Sequence, residues 1–292
     1  MRITCIGAIN WDRKVRLLAP LTPATSNPVQ RLAGTAGGVG FNVACRWAQL
    51  HPGGVQLLSV WGDDPEGHWL QDTARQAGVA LKGVCRSGQA SGQYTAVLDA
   101  HGELAVALAD MHIFDDLPDA FWAVTQAAWS ESDAVVIDMN WALPDLTRLS
   151  REAHQAGLPV ALVAVSAPKM AHLPHDLAGV AVLLLNRREL MAAAGLPADA
   201  SVAQAWPLMQ ARGLTAMIVT DGPEGVWVCE SVHGIRHQPV VQRLQAVDVT
   251  GAGDALSATT LHARWVGQCS WWDAVAMGQQ AASAVLHHTD NR

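Results

Sequence analysis

What most constrains this chain is a recurring pattern of short, almost uninterrupted apolar runs separated by stretches long enough to be helices. The runs are Arg2 to Ile6, Val55 to Val60, Ala134 to Ile137, Val160 to Val165, Val180 to Leu185 and Ala216 to Val219, each leading into polar or glycine residues. A strand that reads as continuously apolar, without alternation, is buried on both faces. Between these runs, Gly40 to Leu50, Gly67 to Ala77, Asp145 to Ala156, Arg187 to Ala194 and Ser201 to Arg212 read as helices. Strand and helix in alternation predict a doubly wound α/β fold, a mostly parallel sheet with helices on both faces.

Two segments break that rhythm. Arg13 to Thr35 holds a cluster of prolines and threonines followed by VQRLAG, and Gly92 to Asp110 reads as two alternating strands around a turn at Asp99 to Gly102. They are expected to pair as a small separate sheet, a lid over the carboxyl ends of the main strands, where ligands of open α/β sheets bind. The 292 residues, half of them hydrophobic, suffice for one domain over 1–292 with lid segments at about 13–35 and 90–111.

Charge and cysteine use exclude several classes of function. A formal net charge of -7 gives no broad basic surface, which argues against a nucleic-acid binder. Cys5, Cys45, Cys85, Cys229 and Cys269 lie far apart with no CxxC pair, so neither a zinc knuckle nor a disulfide framework is signalled and a reducing cytoplasm is expected. MRITCIGAINWD turns polar too soon for a secretory signal, and no stretch reaches the ~20 apolar residues of a membrane span.

The chemistry concentrates in DVTGAGDA, Asp248 to Ala255. Gly251 and Gly253, with Ala252 between them, leave successive amide hydrogens unobstructed where a loop enters a helix, which suits phosphate oxygens. Asp254 lies beside that pocket as a carboxylate able to orient a hydroxyl and take its proton. Lys14, Lys82 and Lys169 are the only lysines and none stands in a P-loop, so phosphate binding is expected to rest on backbone amides, with an arginine as a further candidate. GGVGFNV has Val43 where a dinucleotide fingerprint needs its third glycine, which puts a dehydrogenase well behind.

Read together with GGVGFN (Gly37 to Asn42), IGAINWD (Ile6 to Asp12), WGDDPEG (Trp61 to Gly67), NRRE (Asn186 to Glu189) and VTDGPEG (Val219 to Gly225), this loop resembles the ribokinase-like, or PfkB, family of carbohydrate and nucleoside kinases over almost the whole chain. Within the family, SNP at Ser26 to Pro28, GGVGFNVA, the lid-like run Tyr94 to Met111, and DMN at Asp138 to Asn140 are similar to the bacterial pseudouridine kinases.

The resemblance implies ATP as co-substrate, magnesium, and a sugar or nucleoside as acceptor. Asp254 would be the base, with the amides of Gly251, Ala252 and Gly253 as the anion hole. Asp12 and Asn42, with Asn10 as a lesser candidate, would grip sugar hydroxyls, and Gly37 and Gly38 would bring bare backbone close to the sugar. Thr95, Asp110 and Asn140 are candidates for reading the base or ribose, each equally readable as a structural turn residue. On the nucleotide side stand Asn186, Thr220, Gly222 and Gly225. Glu189 would act on magnesium through water, and Asp248 and Thr250 are candidates for a potassium site. An exposed lid sheet also implies a homodimer through the lid.

Two positions depart from the pattern. VAVS at Val163 to Ser166 stands where the resembling enzymes carry an Asp-Pro pair in a DPVS-like run, and Leu184 and Leu185 stand where a Lys-Pro pair commonly precedes the asparagine. The alternatives to a pseudouridine kinase are a ribokinase, fructokinase or other nucleoside kinase of the family, and a non-catalytic sugar- or nucleoside-binding sensor that keeps the fold.

Overall fold

The computed structural model describes residues 1–32, 34–240 and 251–289. The first half of the chain forms β1 (Ile3–Ile6), β2 (Asn10–Leu17), β3 (Val29–Arg31), β4 (Thr35–Gly37), α1 (Val39–Leu50), β5 (Val55–Gly62), α2 (Pro65–Gln76), β6 (Ala80–Arg86), β7 (Gln93–Leu98), β8 (Leu104–Asp110), α3 (Asp119–Trp129) and β9 (Ala134–Asp138). It continues through α4 (Leu143–Gln155), β10 (Val160–Val163), β11 (Val180–Asn186), α5 (Arg187–Ala194), α6 (Val202–Ala211), β12 (Ala216–Thr220), β13 (Val226–Glu230), β14 (Gly234–Gln238), α7 (Ala252–Trp265) and α8 (Trp271–Thr289).

Nine strands build the large sheet in the order β14-β13-β12-β11-β10-β9-β1-β5-β6, with β13 alone running against the others, antiparallel to both β12 and β14. β1 lies between β5 and β9. The chain therefore winds from β1 toward β6 on one side and later fills β9 to β12 on the other, and the crevice where that direction reverses opens at the carboxyl ends of β1 and β9. Alternate strand residues feed two cores. Ile137, Leu162, Leu183 and Val219 pack with residues of α3 to α6, whereas Val136, Val163, Leu184 and Ile218 pack with α1, α7 and α8. This double burial is why these strands lack polar alternation.

Local signals start several helices. Asp64 caps α2 by accepting the Gly67 N–H at 2.7 Å, and capping boxes start α5 (Asn186 with Glu189) and α6 (Ser201 with Gln204). Among the described residues no helix is long and apolar enough to cross a membrane.

A second sheet runs β3-β2-β7-β8, with β4 also paired to β2. β2 starts at Asn10, ahead of the segment 13–35 assigned to the lid from sequence, and places Asn10 opposite Gly37 and Asp12 opposite Thr35. β8 is the outer edge of this sheet, with Leu104 and Leu108 56% and 60% exposed. The strands outside the predicted apolar runs include β6 and β14, the two edges of the large sheet, and β13, which lies between β12 and β14. Edge strands are covered less completely and tolerate polar residues such as Lys82 in β6 and Arg236 in β14, so their sequences carry no unbroken apolar run.

Candidate active site

Gly251 sits at the N-cap of α7 with φ 80° and ψ -8°, a left-handed conformation that favours glycine. Ala252, Gly253 and Asp254 form the first turn, so their amides have no intrahelical acceptor. Among the described residues, a Cβ added at Gly251 or Gly253 would meet nothing within 4 Å. Asp248 and Thr250 lie outside the described residues.

α7 packs against α1, and this brings Asn42 of GGVGFN to Asp254: Asn42 Nδ2 donates to Asp254 Oδ2 at 2.8 Å. Asp254 keeps an open face toward the cavity while protein crowds its other sides. Burial pushes its carboxyl up to about 7; the Asn42 hydrogen bond opposes the shift, and the nearby Asp138, Asp12 and Glu189 carboxylates add to it. A carboxylate so placed is a base poised near neutral pH.

The residues assigned to the sugar gather at the start of β2. Asp12 Oδ1 accepts from Asn10 Nδ2 at 2.6 Å, so Asn10, itself buried, supports Asp12. Burial pushes the Asp12 carboxyl up, against the Asn10 hydrogen bond and the Lys14 charge. Gly37 and Gly38 are bare for a reason the sequence does not show. A Cβ on Gly37 would overlap the Asp12 carboxylate, and Gly38, at φ 102°, passes close to the Ala8 carbonyl and the Asn10 side chain. The glycine pair thus makes room for the polar side chains themselves.

On the far side of Asp254 lies a cavity of about 170 Å³ lined by Val163, Leu184, Asn186, Glu189, Thr220 and Gly253, with Asp254 at its rim. Asn186 and Glu189 are locked together: Glu189 Oε2 accepts the Asn186 N–H at 2.7 Å and Asn186 Oδ1 accepts the Glu189 N–H at 2.9 Å. Glu189 is 6% exposed, and burial pushes its carboxyl up. Arg187 ties the β11 and β12 ends together, donating to Asp221 Oδ2 at 3.2 Å. Gly222 stands in the loop after β12 with open space beside it, whereas Gly225, at φ 110°, is held against the Gln238 carbonyl and does not line the cavity.

The three residues proposed to read the base are dispersed. The Thr95 hydroxyl accepts from Gln93 Nε2 at 3.0 Å on the lid, and Asp110 is exposed at the end of β8. Asn140 is buried, with its amide nitrogen bonded to Asp138 Oδ2 and its side-chain oxygen bonded to Lys169, each at 3.0 Å. Asp138, Lys169 and the cavity-lining Ser257 are site residues without a sequence assignment; the signal for Asp138 was a carboxylate closing the buried run AVVID.

The family model for pfkB family carbohydrate kinases matches residues 1–291, and the chain belongs to that family. It is a phosphotransferase acting on a sugar or nucleoside. The pseudouridine kinase of Escherichia coli (strain K12) is 29% identical over 296 residues, 99% of this chain and 92% of that protein. A carbohydrate kinase from Agrobacterium tumefaciens superposes with a TM-score of 0.80 at 29% identity, covering 97% of this chain and 90% of the other. The Arabidopsis thaliana ribokinase complexed with ribose and ATP shares the fold, with a TM-score of 0.79 at 19% identity over 98% of this chain and 92% of its own. The fold is thus ribokinase-like, a large, mostly parallel sheet with a smaller one beside it.

The two departures from the family pattern meet in space. Val163 and Leu184 are register partners on β10 and β11, both buried, both facing α7, and both in the cavity floor. Their register would set an introduced Asp and Lys side by side across the strands, where this chain has an apolar contact.

Two outcomes follow. Val163→Asp or Leu184→Lys alone leaves a buried charge unpaired and lowers unfolding free energy by about 3–5 kcal/mol, while the double variant recovers most of it. Urea titration of the three variants measures this, and equal losses in single and double variants would refute the pairing. Asn42→Ala removes the bond that favours ionised Asp254 and raises its pKa, read from a pH titration of its side-chain carbon resonance, and an unchanged titration would show that the bond does not hold the carboxylate down.

Proposed function

We propose that this chain transfers the γ-phosphoryl group of ATP to the 5'-hydroxyl of pseudouridine, giving pseudouridine 5'-phosphate and ADP. The observation that carries the reading is the 2.8 Å bond from Asn42 of α1 to Asp254, which lines the cavity over β10 to β12. A hydroxyl held by Asp12 and Asn42 is presented to Asp254, which takes its proton as the new oxygen–phosphorus bond forms and the bond to the β-phosphate oxygen breaks. The amides of Gly251, Ala252 and Gly253 offset the charge on the transferring group. Asn186, Thr220 and Gly222 border the nucleotide. Whole-length similarity to a pseudouridine kinase supports pseudouridine as the acceptor.

Among the described residues no three His, Cys, Asp or Glu side chains cluster as a metal cage. Magnesium suits such a site, because it keeps several waters and is held largely by nucleotide phosphates, with Glu189 as the protein carboxylate; it would neutralise phosphate charge. Potassium beside Asp248 and Thr250 remains part of the reading. So does a cytoplasmic location, in keeping with five free cysteines. The second copy of this chain is the partner suited to the β8 edge, where Leu104 and Leu108 are exposed beside an unpaired strand edge. The presence of Asp254, Gly251, Gly253 and Glu189 favours an enzyme over an idle sensor.

Asp254→Asn should abolish ADP formation, by about 1000-fold or more, while nucleotide binding measured by calorimetry persists. Near-normal turnover in this variant would remove Asp254 as the base. Across a panel of nucleosides and sugars with magnesium, with and without potassium, pseudouridine should give the highest kcat/KM; ribose, fructose or a purine nucleoside outpacing it would reassign the substrate. Sedimentation velocity should show a dimer that Leu108→Glu converts to monomer, and a monomeric parent chain would exclude the lid interface.

A further inference from the structure

Helix α1 carries Asn42, yet it starts without a cap of its own. Its N-cap residue is Gly38, and no side chain at that position bonds the first turn. The acceptor comes from another strand. Asp138, the last residue of β9 and 1% exposed, accepts the Gly40 N–H at Oδ2 at 2.9 Å. The same oxygen accepts from the Ala8 N–H at 2.8 Å and from Asn140 Nδ2 at 3.0 Å, and Oδ1 accepts the Asn140 N–H at 3.0 Å. All four partners are N–H donors, the surroundings of an anion.

This approach needs bare backbone on both sides. A Cβ on Gly40 would lie 2.7 Å from Gly7 Cα, and one on Gly7 would lie 2.8 Å from Gly40 Cα and overlap the Asp138 carboxylate. Behind the carboxylate, Lys169 Nζ donates to the Asn140 carbonyl and to Asn140 Oδ1, each at 3.0 Å, and places a positive charge within the same network. The β1 loop, the start of α1 and the end of β9 are therefore pinned to one carboxylate at the crevice where the winding of the sheet reverses.

We propose that Asp138 is a positioning residue for phosphoryl transfer: it caps α1 from the neighbouring strand and so sets the place from which Asn42, two residues beyond Gly40, holds Asp254. The inference rests on the reading of Asp254 as the base. Asp138 touches neither substrate nor nucleotide in this role. It acts through the first turn of α1, and a displacement there is passed to the side chain that aligns the base.

Asp138→Asn keeps the size of the side chain but replaces one acceptor oxygen by an NH2 group. kcat should fall about tenfold to a hundredfold, with the KM for ATP within about twofold of the parent value. In combination with Asn42→Ala the losses should not multiply, because both changes cut one path. Hydrogen exchange should speed up at amides 38–42 while β9 and β10 stay protected, a readout that needs no substrate. Wild-type kcat, losses that multiply, or unchanged exchange would each overturn the proposal. If Asp138→Asn does not fold, Gly40→Ala carries the same three measurements, since its Cβ pushes α1 away from Gly7 and Asp138. Asp254→Asn separates the two ideas: turnover retained there removes the premise, whereas a dead Asp254→Asn beside a wild-type-like Asp138→Asn removes only the positioning role.

Discussion

The rest of the site depends on the hydrogen bond between Asn42 and Asp254, residues 212 positions apart in the chain. It exists because α1 and α7 lie on the same face of the large sheet and because both begin, at Gly38 and Gly251, with glycine in a backbone conformation closed to most other residues. Neither helix contributes a capping side chain at its own N-cap. The first turn of α1 thus takes its partner from elsewhere, a carboxylate from β9, and the first turn of α7 has no capping side chain at Gly251. The Asn42–Asp254 bond ties these two open helix starts into one unit.

Much of this was legible in the sequence, for physical reasons that differ by element. The central strands showed because burial on both faces leaves an apolar run, as in AVVID. Asn186 and Glu189 showed through the short NRRE motif, and the capping box they form is equally local in sequence. The edge strands β6 and β14 did not show, since half-covered strands carry Lys82, Arg236 and His237. Asp138 stands out in the sequence only as part of DMN, because a cap supplied across 98 positions leaves no spacing to read. Val163 and Leu184 each stood out as a departure, but their relation is a matter of strand register, which only the folded chain displays.

The site also has a thermodynamic cost. Asp254 has its carboxyl raised from 3.8 to about 7, so between those values the folded chain holds a proton that the unfolded chain has released. The sign follows directly: across this window stability falls as pH rises, and above it the full penalty of an ionised, crowded carboxylate is present. The same ionised form is the one that accepts a proton. A centre that works near neutral pH is therefore a centre that weakens the fold there, and the two large cores on either side of the sheet must offset it.

β2 belongs to two structures at once. It is the strand on which the small sheet is hung, paired to β3, β4 and β7, and it carries Asn10 and Asp12 at its start. Asp12 consequently travels with the small sheet, while Asp254 stays with the large one. The proposed grip on the acceptor and the proposed base are thereby carried on two different sheets, and it is α1, through Asn42, that reaches the base.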